Sequence, residues 1–296
     1  MLSAACTAIE CRIHRLAPEL APGAFCTNLD LRCGITFMFF DTHAHLDQSE
    51  FDADRPAVID RARRAGVQRI LSVGTDLASS QKAVSLSEEH PEIFAAVGIH
   101  PNSAAAADAN DWDRLLDLIA HPRVVALGET GLDRYWDFTP LSLQQEYFQR
   151  HLSLSRERNL PIVIHCRDAA EDLMPMLREA AARSPLKGIL HAFSGDARMA
   201  GECVELGLHI SFAGNVTYKN KKFEPLRLAA AAAPPDRLLI ETDSPYLTPE
   251  PLRGREKRNE PAWVAHTALH LAELRGVALS DLEQQTAANA QRLFGL

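Results

Sequence analysis

Residues 39–47 read FFDTHAHLD. Two bulky apolar residues, Phe39 and Phe40, lead into two histidines, His43 and His45, with one residue between them. Side chains at i and i+2 of a strand point to the same face. A strand beginning at Met38 therefore aims both imidazoles to one side at its carboxyl end. An open doubly wound sheet, the competing architecture, carries a Gly-rich phosphate loop after its first strand. Here that place holds Asp-Thr-His-Ala-His, which directs the reading toward a different parallel fold.

Outward from this stretch, short apolar or β-branched runs alternate with longer amphipathic ones. The expected strands are 38–41, 69–74, 94–99, 124–128, 161–165, 188–191, 209–212 and 238–242. Helical periodicity fills 55–65, 79–89, 112–120, 144–158, 169–182, 197–206 and 224–232. A final stretch, 260–294, reads as two helices broken near Gly276. Eight strand–helix units in about 259 residues match the size and order of a (β/α)8 TIM barrel. No Gly-, Ser- or Pro-rich linker divides this body, so residues 38–296 are expected to be one domain.

The polar residues then fall in one place. His43 and His45 end the first expected strand, His100 the third, Glu129 the fourth, His165 the fifth, His191 the sixth and Asp243 the eighth. In such a barrel these ends surround one mouth, where barrel enzymes keep their chemistry. A lone His-x-His is common in ordinary loops. With His165, His191, Glu129 and Asp243 at the same rim, it becomes a donor set suited to divalent ions. Six ligands exceed what one tetrahedral ion with an open position uses, so two ions are expected. Glu129, between the histidine groups around the ring, is the expected bridge. His43, His45, Glu129 and Asp243 form the first site; Glu129, His165 and His191 form the second. Asp243 is also placed to accept a proton from attacking water, which makes it, with Glu129, a catalytic candidate.

Bulk properties restrict the alternatives. The 296-residue chain is 46% apolar with a formal net charge of -8, which argues against a generally basic, nucleic-acid-coating surface. No apolar run approaches the ~20 residues of a membrane span. Four of the six cysteines, Cys6, Cys11, Cys26 and Cys33, precede Met38, without the close pairs of zinc fingers. Cys166 and Cys203 are isolated. That usage suits a reducing compartment, so a cytoplasmic protein is expected. Residues 1–37 show no clear period and resemble neither a secretory signal nor a transit peptide. They are expected to be a disordered extension, or the product of a start assigned upstream of Met38.

The ordered series DTHAHL, GIHP, GETGLD, HCRD, HAFSG and ETDSPYLTP resembles the TatD family of metal-dependent deoxyribonucleases, within the amidohydrolase-like barrel group. The resemblance runs from Met38 to Leu296. It implies a (β/α)8 barrel, two divalent ions (Mg, Mn or Zn), and hydrolysis of DNA phosphodiester bonds by metal-activated water, in the 3′→5′ exonuclease direction. Its metal ligands fall on His43, His45, Glu129, His165, His191 and Asp243. Ala44 and Ala192 depart from the cysteines often found there, at positions that are not ligands. Relatives of the dihydroorotase and phosphotriesterase types bridge their metals with a modified lysine where this chain has Glu129.

An acidic protein can still grip a single-strand end through a basic rim. YKNKK after strand seven supplies Lys219, Lys221 and Lys222. RGREKRNEP after strand eight supplies Arg253, Arg255, Lys257 and Arg258. Both lie in loops at the mouth, where phosphate contacts are expected. His100 and Arg167 are further candidates for a phosphate oxygen, and Tyr135 and Trp136 for stacking on a base. The remaining histidines, His14, His90, His121, His151, His209, His266 and His270, are expected to take no part. The rival functional reading is a metal-dependent ester or amide hydrolase, such as an aminoacyl-tRNA deacylase. A metal-binding protein without catalysis is disfavoured by the incomplete second ligand set.

Overall fold

A computed structural model describes residues 38–296. The expectations for residues 1–37, including their four cysteines, lie outside the described residues. Eight strands follow one another: β1 (Phe39–Ala44), β2 (Val67–Val73), β3 (Ile93–Val97), β4 (Val124–Asp133), β5 (Ile162–Arg167), β6 (Gly188–Leu190), β7 (Leu208–Phe212) and β8 (Leu238–Ile240). They stand in chain order in one sheet, and each neighbouring pair is parallel. The intervening helices are α1 (Arg55–Arg64), α2 (Leu77–Glu89), α3 (Asp111–Ile119), α4 (Leu141–Arg158), α5 (Ala170–Ala181), α6 (Ala197–Glu205) and α7 (Glu224–Ala232). α8 (Val264–Arg275) and α9 (Leu279–Phe294) follow β8.

The ring closes between the segment after β8 and β1. Asp243 N–H donates to the His43 carbonyl at 2.9 Å, and His45 N–H to the Ser244 carbonyl at 2.8 Å. Below this seam the buried Asp41 carboxylate accepts the Thr242 hydroxyl at 2.6 Å and the Thr242 N–H at 2.9 Å. Burial pushes the Asp41 carboxyl up to about 8, against these hydrogen bonds. The fold is the (β/α)8 barrel expected from the alternation of runs.

Strands buried on both sides read as continuous apolar runs, which is why their positions were legible. Outward-facing residues such as Phe39, Ile70 and Ile162 pack into the helical layer. Phe40, Leu71, Val163 and Leu239 fill the interior with Leu293 and Phe294 of α9. Phe294 lies 5.6 Å from the Phe40 ring, near the amino-terminal end of β1, so the last helix helps to floor the barrel. The break between α8 and α9 falls at Gly276, whose left-handed φ of 65° suits glycine. Other histidines take up positions on the helices or near a strand start. His90 caps α2, His151 lies on α4, His209 is near the start of β7, and His266 and His270 are on α8. Among the described residues, no helix is long and apolar enough to cross a membrane.

One boundary differs in a way that matters. β4 continues through Glu129 to Asp133, five residues beyond the expected Gly128. The apolar run that marks the strand ends at Gly128, ahead of residues 129–133. They pair with β5, Thr130 opposite Ile164 through Asp133 opposite Arg167, with Leu132 in the core and the Asp133 carboxylate accepting from His165 and Asn102.

Candidate metal centre and active site

Two β-bulges aim side chains into the mouth. On β1, Asp41 pairs with Ile70 and Ala44 with Ser72, so one extra residue is accommodated around Thr42 and His43. On β4, Leu127 pairs with Ile162 and Thr130 with Ile164, placing the extra residue at Gly128 and Glu129. Bulges re-aim side chains in this manner beside active sites. Gly128 adopts φ 121°, and a Cβ there would stand 2.5 Å from the Val163 carbonyl oxygen. Only glycine permits the backbone to turn Glu129 inward at this point.

The six expected ligand residues converge as two groups sharing Glu129. In the first, His43 Nε2 and His45 Nε2 are 3.1 Å apart. Glu129 Oε2 lies 3.4 and 3.5 Å from them, and Asp243 Oδ1 3.7 and 3.5 Å. Donors held about 2.0–2.1 Å from a common centre at tetrahedral angles stand roughly 3.3 Å apart. The observed separations, 3.1 to 3.7 Å, bracket that value. In the second group, Glu129 Oε1 lies 2.8 Å from both His165 Nδ1 and His191 Nε2, and those nitrogens are 3.3 Å apart. The His43 and His191 rings stack between the groups, with centroids 4.0 Å apart. This buried His, Glu and Asp cluster is able to bind metal.

The backs of the imidazoles determine what their fronts offer. His45 Nδ1–H donates to the Val73 carbonyl at 2.8 Å, which leaves Nε2 as the donor atom toward the cluster. His165 Nε2–H donates to Asp133 Oδ2 at 3.1 Å, which leaves Nδ1 facing Glu129. Such orienting partners set ring direction and ligand basicity. Glu241 stands 3.4 Å behind His191 Nδ1, too poorly aligned for a hydrogen bond, and its Oε1 accepts the Ala192 N–H at 2.6 Å. Neither Asp133 nor Glu241 was picked out from sequence. Glu241 lies two residues before Asp243, a spacing that hinted at it; Asp133 lies beyond the apolar run of its strand, which gave it no defined direction.

His100 behaves differently from the six. Its Nδ1 accepts the Asn102 N–H at 3.0 Å, so in the neutral ring the proton is on Nε2, 3.4 Å from Glu129 Oε1. That nitrogen presents a hydrogen to an oxygen rather than a lone pair to an ion. Burial holds the His100 pKa below its ordinary value.

Burial and neighbouring charges pull the ionisation of these groups in different directions. Burial alone would raise Glu129, yet His191, His100 and His165 hold it well below the usual carboxylate range. Burial likewise opposes ionisation of Asp243, and His45 outweighs it. For His45, burial would lower the pKa, but Asp243 and Glu129 push it up to about 9. His191 is raised well above its ordinary value, Glu129 overcoming burial. His43, fully buried and beside His191, is lowered. Neutral imidazoles facing ionised carboxylates are the charge state a divalent ion needs.

The expected phosphate-contact residues divide. Arg167 is exposed at the end of β5, its guanidinium 3.8 Å from the Tyr135 ring centroid. Lys219, Lys221, Lys222, Arg253, Arg255 and Lys257 are exposed on the two loops. Those loops touch where Arg253 lies 3.9 Å over the Tyr218 ring. Arg258 departs from expectation. It pairs with Asp54 at 2.8 and 3.0 Å, donates to the Glu50 carbonyl at 2.5 Å, and covers Phe51. Its charge is spent tying the segment after β8 to the segment after β1, which removes it from the free cations of the rim.

The whole barrel has known relatives. A family model described as TatD related DNase matches residues 40–295. The uncharacterized metal-dependent hydrolase YabD of Bacillus subtilis is 44% identical over 257 residues, covering 87% of this chain and 99% of its own length. The 3'-5' ssDNA/RNA exonuclease TatD of Klebsiella pneumoniae is 36% identical over 259 residues, covering 87% and 98%. Among solved structures, the TatD homolog YJJV of Escherichia coli superposes with a TM-score of 0.82 at 29% identity, covering 88% of this chain and all of that one. Barrel, mouth and kinship over residues 40–295 agree, and the chain belongs to the TatD family of metal-dependent hydrolases.

Proposed function

We propose that the protein is a two-metal exonuclease that removes nucleotides from the 3′ ends of single-stranded DNA. The observation that carries this reading is the division of labour within Glu129. One oxygen faces His43 and His45, the other His165 and His191. His43, His45, Glu129 and Asp243 would hold one divalent ion, and Glu129, His165 and His191 a second with fewer protein donors. When bound, such ions acidify a water and neutralise charge on an attacked phosphate.

The chain's own groups perform the remaining tasks. The Asp243 side chain is 12% exposed against 3% for Glu129, so it has an edge toward the mouth. Held ionised, it is the group that accepts the water's proton. His100 Nε2–H is a donor for a phosphoryl oxygen. Arg167 and the exposed cations of the two basic loops suit the flanking phosphates. The name of the Klebsiella relative favours nucleic acid over an aminoacyl ester as substrate.

The test is an assay of metal-stripped protein on 5′-labelled single-stranded DNA, with Mg²⁺, Mn²⁺ or Zn²⁺ restored and aminoacyl-tRNA run in parallel. The expected result is metal-dependent shortening from the 3′ end, abolished by His43→Ala. Intact DNA under every ion, with aminoacyl ester cleaved, would transfer the assignment to the rival ester hydrolase.

A further inference from the structure

The described residues expose few large apolar side chains, and three of them fall within four positions. Tyr135 is 54% exposed, Trp136 44% and Phe138 61%. Trp136 and Phe138 lie parallel, centroids 5.4 Å apart and planes 15° from each other. Tyr135 meets Trp136 edge-on at 4.8 Å. A solvent-facing aromatic stack of this kind gains little from burial in the free protein, so its placement calls for an occupant.

Its attachment shows where that occupant would lie. Asp133 Oδ1 accepts the backbone N–H groups of Tyr135 at 2.8 Å and Trp136 at 3.1 Å. The other oxygen, Oδ2, accepts His165 Nε2–H at 3.1 Å and the Asn102 amide at 3.0 Å. One buried carboxylate thus holds both a candidate ligand of the second ion and the start of the aromatic segment. Arg167, opposite Asp133 in the β4–β5 ladder and two residues beyond His165, has its guanidinium carbon 3.8 Å from the Tyr135 ring centroid. The Arg134 N–H donates to the Arg167 carbonyl at 2.9 Å, which joins the two strand ends.

We infer that Trp136 and Phe138 form a shelf on which an unpaired nucleobase stacks while Arg167 takes the adjoining phosphate, so that the polynucleotide is delivered to the second ion by way of Asp133. The inference rests on the nuclease reading above and adds to it a specific positioning surface. A cation beside exposed rings matches the alternation of phosphate and base in a single strand, and does not match an apolar protein segment. Stacking uses the face of a base, which all four bases share, so the shelf is tolerant of sequence. A base still paired in a duplex has that face covered by its neighbours, so the shelf also selects frayed or single-stranded ends.

The test uses the full chain with its metal restored and a single-stranded oligonucleotide, intact or carrying an abasic residue at each of the three 3′-terminal positions in turn. Trp136→Ala and Phe138→Ala should each raise KM about tenfold, the range of one base–aromatic stack, while Trp136→Phe restores most of the loss. One abasic position should raise the wild-type KM by a similar factor and add nothing in Trp136→Ala. If the alanine variants keep the wild-type KM, or if the abasic penalty persists undiminished in them, the shelf is overturned while the nuclease reading stands. If wild type releases no nucleotide with any ion, both fall together. Thermal midpoints measured alongside separate a folding defect from lost stacking, Phe138→Ala keeps the comparison if Trp136→Ala fails to fold, and a wild type without any abasic penalty also overturns the shelf.

Discussion

Glu129 is the residue on which the site turns. Its two oxygens address different imidazole pairs, and its own ionisation is held in place by the histidines around it. His45, with burial opposed by Asp243 and Glu129, holds its proton to about pH 9 in the metal-free protein. An incoming cation must displace that proton at neutral pH. Metal titrations at pH 7 in buffers of different ionisation enthalpy should therefore report proton release, which shrinks as the pH is raised above 9; heats independent of the buffer would contradict this. Asp243→Asn should lower kcat by about 10²–10⁴-fold, the usual contribution of a general base, with an unchanged circular dichroism spectrum. Turnover near wild type would take the proton-accepting role away from Asp243.

At the scale of elements, the bulges in β1 and β4 explain both what could be read beforehand and what could not. The His43 and His45 pair was legible because two-residue periodicity resumes after the β1 bulge. The extent of β4 was not, because residues 129–133 look like loop until their partners are known. Asp133 was missed for the same reason, since a strand that ends at Gly128 leaves it no defined direction. α4 supplies a second kind of support. On it, His151 donates from Nδ1 to the Tyr147 carbonyl at 2.7 Å and accepts the Ile99 N–H at Nε2 at 3.2 Å, linking the helix to the segment after β3. Burial lowers its pKa to about 4. The folded state thus takes up this proton later than the unfolded chain as pH falls. The resulting loss of stability develops between pH 6.5 and about 4, and reaches about 3 kcal/mol for this one group. Urea unfolding from pH 7 to pH 4.5 should show a shallower decline in His151→Gln than in wild type; identical slopes would mean that His151 does not carry this penalty.

Over the whole molecule, charge and topology act together. A net charge of -8 repels a polyanion, while the loops after β7 and β8 gather Lys219, Lys221, Lys222, Arg253, Arg255 and Lys257 at the mouth. The order of eight runs was enough to place these loops together, because a parallel barrel brings all carboxyl ends to one rim. The engagement of Arg258 by Asp54 was invisible in sequence, since the two lie far apart along the chain and meet only through the closure of the ring. Each phosphate contact on a single strand contributes about -0.7 to the slope of log affinity against log salt. Replacing Lys221 and Lys222 together by alanine should reduce that slope by roughly 1.4 for an oligonucleotide bound to the protein. An unaltered slope would show that these lysines face solvent only.

If two cations share the Glu129 carboxylate, the stoichiometry of metal binding reveals it. Metal-stripped protein titrated with Zn²⁺ or Mn²⁺, with bound metal measured after removal of the free ion, should take up two equivalents. Glu129→Gln should lose the second and bind the first more weakly. One equivalent in the wild type, or two in Glu129→Gln with undiminished affinity, would contradict the shared-carboxylate account.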